Sequence, residues 1–584
     1  MNEDRPVRLD TVSREYNSDV IVEALRELNY QYIPMTPGSS FRGVHDSLVN
    51  YLGNERPQMI LCLHEEVAIS VAHGFTTVTD GACPVLIHDL VGLMNGSMAV
   101  YNAFCGQAPV VVLGGGGPIS RGTEGRRPID DLHSAQSQGE LIREYVKWVD
   151  DPCTLMDTVA GIYRAHQIAV SAPAGPVYLT MDVDMQEGRI AGDYVAPEVA
   201  DFTPAPPFAA DLEQVAAAAR LLVDASLPLI IVGGRLVHVP GAPQLLAELA
   251  ESLGAAVDGS ALPSTHPLNV TGTNAVGDAD VLLCIDVGDM ASTLGTGLGN
   301  RPGRTGDRKL IDLSTGDLRL KSWGNAFSAP FRRDVQLLSD PVAGLRALVP
   351  AVREIANASV AQTRAAVVRD RVQEVRARQL SHVAEHWDDR PISSGRFTSE
   401  LWDAVRSTDW LLTSRGGRLW HEGIFEFTDS RQTIASAGGG GGVGYNTGAA
   451  VGAALAARDR GQIAIAVVGD GDFFMAHSAL WTAVHYHLPL LLVINDNHSF
   501  FNDEEHQRRL ARLRNRPREN SWIGVHIDEP AVDFASIGRA FGCHAEGPIE
   551  DPADLHSALH AAVNAVLSGE VALVHVVTEA ISDE

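Results

Sequence analysis

Two groups of oxygen-bearing residues follow two apolar runs in the last third of the chain. The run QIAIAVV leads directly into Gly469-Asp470-Gly471-Asp472, and the run LPLLLVI ends at Asn495-Asp496-Asn497. The segment between them has the pattern of a helix. A strand, a helix and a second strand in this order place two strand ends side by side in a parallel sheet. Carboxylate and carboxamide oxygens at such an edge suit Mg²⁺ bound to a phosphate.

Each residue type at these strand ends predicts a separate task. Side-chain oxygens of Asp and Asn bind a metal ion, and glycines let the backbone approach a phosphate closely. A lone Gly-Asp-Gly is more often plain turn chemistry, so the spacing to the second strand end is what favours a ligand site. The predicted metal ligands are Asp470, Asn497 and the carbonyl of Ser499, and the predicted diphosphate contacts are Gly469, Gly471 and Asp472 with nearby amides.

The elements that must position these residues predict an α/β fold. From about residue 19, helical patterns alternate with short apolar runs, which is typical of a parallel sheet covered by helices. A Pro- and Ala-rich stretch predicts a linker near 190–210. We expect three domains, each built on a mainly parallel sheet flanked by helices: 1–195, 205–350 and, after a long helical stretch, 380–584.

Composition limits the class of protein. At 584 residues the chain is too long for one core, and its formal net charge of -28 disfavours nucleic acid and anionic membrane as partners. Six scattered cysteines show neither zinc spacing nor a disulfide framework. The polar N-terminus is unlike a signal peptide, and no apolar run approaches membrane-spanning length, so we expect a cytoplasmic protein without a membrane partner.

The strand-end motif resembles the thiamine diphosphate motif of the superfamily of benzoylformate decarboxylase, acetolactate synthase and 2-hydroxyacyl-CoA lyase. In that superfamily Gly-Asp-Gly is followed, after a helix and a strand, by Asn-Asn. Here Asn497 falls on the second, metal-binding asparagine, and Asp496 stands where the first asparagine is usual. The resemblance implies thiamine diphosphate and Mg²⁺ as cofactors. It also implies a pyrimidine-binding, a central and a diphosphate-binding domain, in this order.

Two further segments carry the same resemblance. ILCLHEEVAISVAHGF is similar to the segment with the family's catalytic glutamate, which selects Glu65, nine residues before Gly74. Its implied task is to activate the cofactor through the aminopyrimidine ring. GGGGGVGYNTGAAVGAAL resembles the glycine-rich turn below the cofactor, where Val443 takes the place of the supporting apolar side chain and Gly444 follows. A solvated glutamate at a helix start and a flexible glycine linker are the plain alternatives.

Two residues in the first domain resemble the substrate-handling residues of benzoylformate decarboxylase. Ser39, in Thr36-Pro37-Gly38-Ser39, matches an active-site serine, and His88 matches an active-site histidine. The resemblance implies that Ser39 orients the substrate and that His88 moves protons. An ordinary turn serine and a structural strand-end histidine are the alternatives at these positions.

The resemblance implies a lyase or carboligase acting on a small anionic 2-oxo acid or related carbonyl compound. It further implies a homodimer or homotetramer with active sites between subunits. Six arginines between 508 and 518 leave coenzyme A thioesters open as substrates, unless Asp503, Glu504 and Glu505 pair with them. A non-catalytic thiamine diphosphate-binding subunit and a flavin-dependent oxidase are further alternatives. The central-domain strand LPLIIVGG lacks a full Gly-x-Gly-x-x-Gly, so we expect no nucleotide there.

Overall fold

The computed structural model describes most of the chain. The described residues are 4–7, 12–79, 81–119, 132–192, 194–237, 239–273, 279–288, 290–295, 308–318, 332–416, 420–421, 423–434 and 440–580. All predicted site residues lie within these ranges. Tertiary packing groups the chain into two compact units: one comprises Met1–Pro206, Gly438–Ala456 and Ala476–Tyr486, and the other comprises Pro207–Ala437, Ala457–Met475 and His487–Glu584.

The first unit contains a six-stranded parallel sheet with the order β2-β1-β3-β4-β6-β5. Its strands are β1 Tyr32–Met35, β2 Gln58–Leu61, β3 Cys83–Ile87, β4 Val110–Gly116, β5 Val149–Asp150 and β6 Val177–Asp182. The apolar runs YQYIPM, ILCL, PVLIHDL and PVVVLGG predicted β1 to β4. Helices supply the crossovers that parallel strands need: α1 Asn17–Glu27, α2 Arg42–Asp46, α3 Glu65–Thr79, α4 Leu90–Cys105, α5 Leu155–Val170 and α6 Val183–Glu187.

The second unit contains two five-stranded parallel sheets, and the first of them has the order β11-β10-β9-β7-β8. Its strands are β7 Pro228–Val232, β8 Ala256–Asp258, β9 Val281–Ile285, β10 Lys309–Ser314 and β11 Val335–Leu338. The helices around it are α7 Leu212–Asp224, α8 Ala242–Leu253, α9 Met290–Gly295 and α10 Pro341–Ile355. Three strands were predicted; β8 is too short and β11 alternates buried and exposed residues, so neither forms a long apolar run.

The long helix α11, Ala358–Glu385, precedes the last sheet, whose order is β12-β13-β14-β16-β15. Its strands are β12 Trp410–Arg415, β13 Ile463–Gly469, β14 Leu490–Asp496, β15 His544–Ile549 and β16 Ala572–Val577. The helices of the same unit are α12 Ser394–Val405, α14 Asp470–Ala476, α16 Phe501–Leu513, α17 Phe534–Phe541 and α18 Pro552–Leu567. Two further helices, α13 Tyr445–Arg460 and α15 Ala479–His485, lie mostly or wholly within residues of the first unit. The central strands β13 and β14 are buried except at the half-buried Gly469. They are apolar until Gly469 and Asn495-Asp496 end them, as expected for strands covered on both faces.

The predicted fold class is confirmed, because the chain forms three parallel sheets flanked by helices. The predicted domain ranges 1–195, 205–350 and 380–584 stay a prediction. Within the described part of the chain, no helix combines the length and apolar character needed to cross a bilayer.

Candidate functional site

The ends of β13 and β14 bring the two oxygen-bearing motifs together. The strands pair in parallel register, with Gly469 opposite Asn495. Asp470 therefore leaves β13 beside the point where Asp496 ends β14. The sequence folds this way because each apolar strand stops at residues that prefer turns and helix starts.

Asp470, Asn497 and Ser499 lie close together, as the sequence predicted. The Ser499 amide donates to Asp470 Oδ2 at 3.2 Å and to Asn497 Oδ1 at 3.1 Å. The Ser499 hydroxyl donates away from this point, to Glu504 Oε2 at 3.0 Å. Two side-chain oxygens and one short backbone segment thus converge at this sheet edge.

The two aspartates at the strand ends form a buried carboxyl pair. Burial raises the pKa of Asp470, and the neighbouring Asp496 raises it further. Burial opposes ionisation of Asp496 as well, but hydrogen bonds from His575 and Asp470 lower its pKa below the ordinary value. Each carboxyl group therefore opposes ionisation of the other, because two buried carboxylates in contact cannot both ionise cheaply.

Sequence reasoning missed the side chains that support this edge. His575 donates from Nε2 to Asp496 Oδ2 at 2.8 Å, and Thr578 donates its hydroxyl to Asn495. His575 lies in β16 and Thr578 directly follows that strand. Strand β16 pairs with β14. Glu504, which accepts from Ser499, also accepts from His526 Nε2 at 2.9 Å. In the sequence, the one signal for His575 is that a histidine interrupts the otherwise apolar run VALVHVV.

The glycines of the motif differ in their surroundings. A Cβ atom built on Gly471 would lie 2.5 Å from Phe500 Cε1, so no larger residue fits without moving that ring. Its amide donates to Asp470 Oδ1 at 2.8 Å. A Cβ atom on Gly469 would meet nothing within 4 Å among the described residues. Asp472, in the first turn of α14, is half-buried. Open space at Gly469 is what close approach of a ligand requires.

Glu65 begins helix α3 in the first unit and is buried. Asn95 on α4 donates from Nδ2 to Glu65 Oε2 at 3.1 Å. Oε1 faces Gly92, where a built Cβ atom would lie only 3.0 Å away. The plain alternative, a solvated helix-start glutamate, does not fit this burial. Glu66, whose amide donates to His64 Nδ1, is the more exposed of the two.

The glycine-rich turn packs on the same helix α4. The Gly442 amide donates to Asn102 Oδ1 at 3.3 Å, and a side chain at Gly442 would collide with Met98. Val443 is 42% exposed. Gly444 has φ +93°, which favours glycine, and α13 starts at the next residue. The turn is thus held in place by close packing, unlike a flexible linker.

Comparisons with known proteins agree with this geometry. Residues 17–137 match the family model described as thiamine pyrophosphate enzyme, N-terminal TPP binding domain, and residues 418–576 match the corresponding C-terminal TPP binding domain. The chain thus matches thiamine pyrophosphate enzymes in both of their TPP binding domains. It is therefore a thiamine diphosphate-dependent enzyme, thiamine pyrophosphate and thiamine diphosphate being one compound.

Three relatives of this thiamine diphosphate-dependent enzyme span most of its length. It is 25% identical to a probable acetolactate synthase large subunit of Methanocaldococcus jannaschii, covering 96% of this chain and 92% of the relative. It is 25% identical to benzoylformate decarboxylase of Pseudomonas aeruginosa, covering 83% and 86%. The crystal structure of benzoylformate decarboxylase from Polynucleobacter necessarius shares the fold, with a TM-score of 0.74, 18% identity and coverage of 97% and 99%.

The residues at the strand ends of this enzyme fit a divalent cation. Asp470 and Asp496 are both buried, and a cation in contact with Asp470 would offset the repulsion between their carboxylates. Asn497 Oδ1 and the Ser499 backbone add neutral oxygens nearby. Such a donor set, made only of oxygens, suits Mg²⁺.

The predicted substrate-handling residues Ser39 and His88 differ in their contacts. Ser40, and not the predicted Ser39, shares a hydrogen bond with His88 Nδ1 at 2.8 Å and accepts from the Asp89 amide at 3.3 Å. His88 Nε2 lies 2.9 Å from His133 Nδ1. Ser39 is half-buried in the same short 3-10 turn. Sequence matching could not separate two adjacent serines, and His133 lies 45 residues after His88.

Close packing explains the glycine before these serines. A Cβ atom on Gly38 would lie 2.8 Å from His88 Cβ. A larger residue at this position would displace the histidine ring. The Pro-Gly-Ser-Ser turn therefore fixes the position of His88 through both Gly38 and Ser40.

The arginine cluster is partly occupied by neighbouring acids. Arg508 contacts Glu504 Oε1 at 2.6 Å and Glu505 Oε1 at 2.9 Å, and it lies over the Phe501 ring. Arg508 therefore pairs with neighbouring acidic side chains, which was the alternative to a role in binding coenzyme A. Arg509, Arg514 and Arg516 are exposed.

Proposed function

We propose that this enzyme uses thiamine diphosphate and Mg²⁺ to make or break a carbon–carbon bond next to the carbonyl group of a 2-oxo acid. The observation that carries the proposal is the convergence of Asp470 and Asn497 on the Ser499 amide. Benzoylformate is itself a 2-oxo acid, so the benzoylformate decarboxylase relative supports this substrate class.

Different residues would hold the metal ion, the diphosphate and the thiazolium ring of the cofactor. Oxygens of Asp470, Asn497 and the Ser499 carbonyl would bind Mg²⁺. Glycine backbone and amides at the start of α14 would bind the diphosphate, and the glycine-rich turn would support the thiazolium ring. The proposed diphosphate contacts are Gly469, Gly471 and Asp472, and the proposed thiazolium contacts are Val443 and Gly444.

Thiamine diphosphate, when bound, supplies a carbon nucleophile that attacks a carbonyl group and an electron sink that stabilises the resulting charge. Glu65 would form the proton contact with its pyrimidine nitrogen. The Asn95 amide holds Glu65 Oε2, which leaves Oε1, on the Gly92 side, to share a proton. A buried carboxyl group fixed at one oxygen is suited to holding a proton at the other.

His88 would move protons to and from the substrate, and Ser39 would orient its carboxylate or carbonyl. The Asp89 amide donates to Ser40, so the Ser40 hydroxyl proton is available to His88 Nδ1. When Ser40 donates to Nδ1, His88 carries its own proton on Nε2 and donates to His133. Ser40 and His133 are therefore proposed as positioning residues.

The remaining assignments follow the family resemblance. We propose a cytoplasmic homodimer or homotetramer with active sites between subunits. Residues 1–195 would bind the pyrimidine part of the cofactor and 380–584 its diphosphate. The central range 205–350 would hold no nucleotide: backbone packing fills the strand end at Gly233, whose amide donates to Ile285 at 2.8 Å and where a side chain would collide with Asp286.

A coenzyme A thioester is the second candidate substrate. Exposed Arg509, Arg514 and Arg516 favour it, because guanidinium groups bind phosphate oxygens in pairs. Coenzyme A carries phosphates far from its reacting carbonyl, so these arginines would bind the phosphates at a distance from the reacting carbon.

The test is an assay of the purified enzyme with thiamine diphosphate and Mg²⁺ against 2-oxo acids and 2-hydroxyacyl-CoA esters. Glu65→Gln is compared with Glu66→Gln, which changes the adjacent glutamate of the same helical turn. We expect 2-oxo acid turnover that Glu65→Gln abolishes and Glu66→Gln retains. Turnover of the esters alone would assign the coenzyme A class. An absorption spectrum with flavin bands, or binding of cofactor without any turnover, would support the oxidase or the non-catalytic subunit.

A further inference from the structure

Two histidines and an aspartate meet on the outer helices of the last sheet. His556 and His560 are four residues apart on α18, so their side chains lie on the same face of the helix. Asp403 lies on α12, which packs alongside α18. No predicted cofactor or substrate residue belongs to either helix.

The three side chains present one ligand atom each to a common point. His556 Nε2 and His560 Nε2 both lie 3.4 Å from the same carboxylate oxygen, Asp403 Oδ2. Ligand atoms at about 2.0–2.1 Å from Zn²⁺ in a tetrahedron are about 3.4 Å apart. The two 3.4 Å separations therefore match two edges of a tetrahedral site.

The His560–Asp403 contact is also a long hydrogen bond, and both distances exceed those of two shorter histidine–carboxylate hydrogen bonds in the same chain. His575 lies 2.8 Å from Asp496, and His526 lies 2.9 Å from Glu504. A charge-assisted hydrogen bond prefers about 2.7–2.9 Å. The His556, His560 and Asp403 group thus has the spacing of metal ligands around a cation.

The neighbouring groups also suit a metal site. Arg406 Nη2 contacts the other oxygen, Asp403 Oδ1, at 2.8 Å, which orients the carboxylate and leaves Oδ2 directed toward the histidines. The side chains of His556, His560 and Asp403 are 56%, 38% and 40% exposed, so a cation and a water ligand can reach them.

We propose that His556, His560 and Asp403 form a binding site for a divalent transition metal ion of the Zn²⁺ class that links α12 to α18. Two imidazoles and one carboxylate select such ions over Mg²⁺, which prefers oxygen ligands. The site is independent of the proposed reaction, and it would stabilise the packing of the two helices against the last sheet.

The test measures Zn²⁺ binding to the full-length, untagged enzyme by calorimetry with Mg²⁺ and thiamine diphosphate in excess. A second exposed group, His382, Glu385 and His386, lies on α11, so every protein in the comparison carries His382→Ala. His556→Ala and Asp403→Ala are added separately to this parent. All three substitutions are at exposed or half-exposed positions, and circular dichroism checks that the variants fold.

We expect the parent to bind one equivalent of Zn²⁺ that both added substitutions weaken by roughly tenfold or more. Any binding at His88, Asp89 and His133 should be the same in all three proteins. Zn²⁺ should raise the melting temperature of the parent and leave that of Asp403→Ala unchanged. Equal affinity in all three proteins would overturn the proposal. Weaker binding in His556→Ala but not in Asp403→Ala would overturn the link between helices, because it would assign the metal to α18 alone.

Discussion

His575 Nε2 donates a hydrogen bond of 2.8 Å to Asp496 Oδ2, and the two side chains are 2% and 1% exposed. Asp496 occupies the position where the family resemblance places an asparagine. A buried carboxylate needs a charged or strongly donating partner, and the strand β16 supplies one. The departure from the motif is therefore accompanied by a compensating histidine at the same sheet edge.

Replacing His575 tests this compensation. We expect His575→Gln to lower the free energy of unfolding by about 3 kcal/mol, because it weakens the donor to a buried charge. The same substitution in an Asp496→Asn background should cost less than about 1 kcal/mol. Urea unfolding of the four proteins measures both values. An equal loss in the two backgrounds would contradict the pairing.

Asp470→Asn tests the metal assignment. The substitution keeps the shape of the side chain and removes the carboxylate from the set of cation ligands. A charge-assisted contact contributes about 2–3 kcal/mol, so Mg²⁺ affinity in the presence of thiamine diphosphate should fall by about thirtyfold to a hundredfold. Asp503→Asn, at an exposed carboxylate on α16, is the control and should weaken Mg²⁺ binding much less. Similar losses in both variants would argue against Asp470 as a ligand.

The two motif glycines should respond differently to a methyl group. Gly471→Ala should destabilise the protein by about 1–3 kcal/mol, since its Cβ atom would overlap the Phe500 ring. Gly469→Ala should leave stability unchanged and weaken thiamine diphosphate binding, because its Cβ atom takes space reserved for a ligand. Thermal unfolding and cofactor titration of both variants check the difference. The interpretation fails if Gly469→Ala binds the cofactor normally.

The adjacent serines should separate binding from proton transfer. Ser40→Ala should lower kcat/KM by about tenfold and shift its pH profile, because His88 loses the hydrogen bond at Nδ1. Ser40→Thr should restore the profile, and Ser39→Ala should act mainly on KM. A purely structural role for Ser40 would leave the pH profile of the remaining activity unchanged, and that result would remove Ser40 from the assignment.

The sequence predicted most of the long apolar strands and the grouping of Asp470, Asn497 and Ser499, because long apolar runs and their polar ends are local signals. It could not predict His575, which reaches Asp496 from a strand 79 residues further along. Nor could it choose between Ser39 and Ser40, since the choice depends on the orientation of a single 3-10 turn. Short or half-exposed strands such as β8 and β11 carry too few apolar residues to be recognised.

The central claim is that Glu65 makes this protein an active thiamine diphosphate enzyme, and proton exchange at the thiazolium carbon of the bound cofactor tests it most directly. The measurement compares hydrogen–deuterium exchange in the wild type, Glu65→Gln and Glu66→Gln, each saturated with cofactor. We predict that Glu65→Gln slows exchange by about a hundredfold or more and that Glu66→Gln exchanges like the wild type. Equal exchange rates in all three proteins, with cofactor bound, would contradict the assignment.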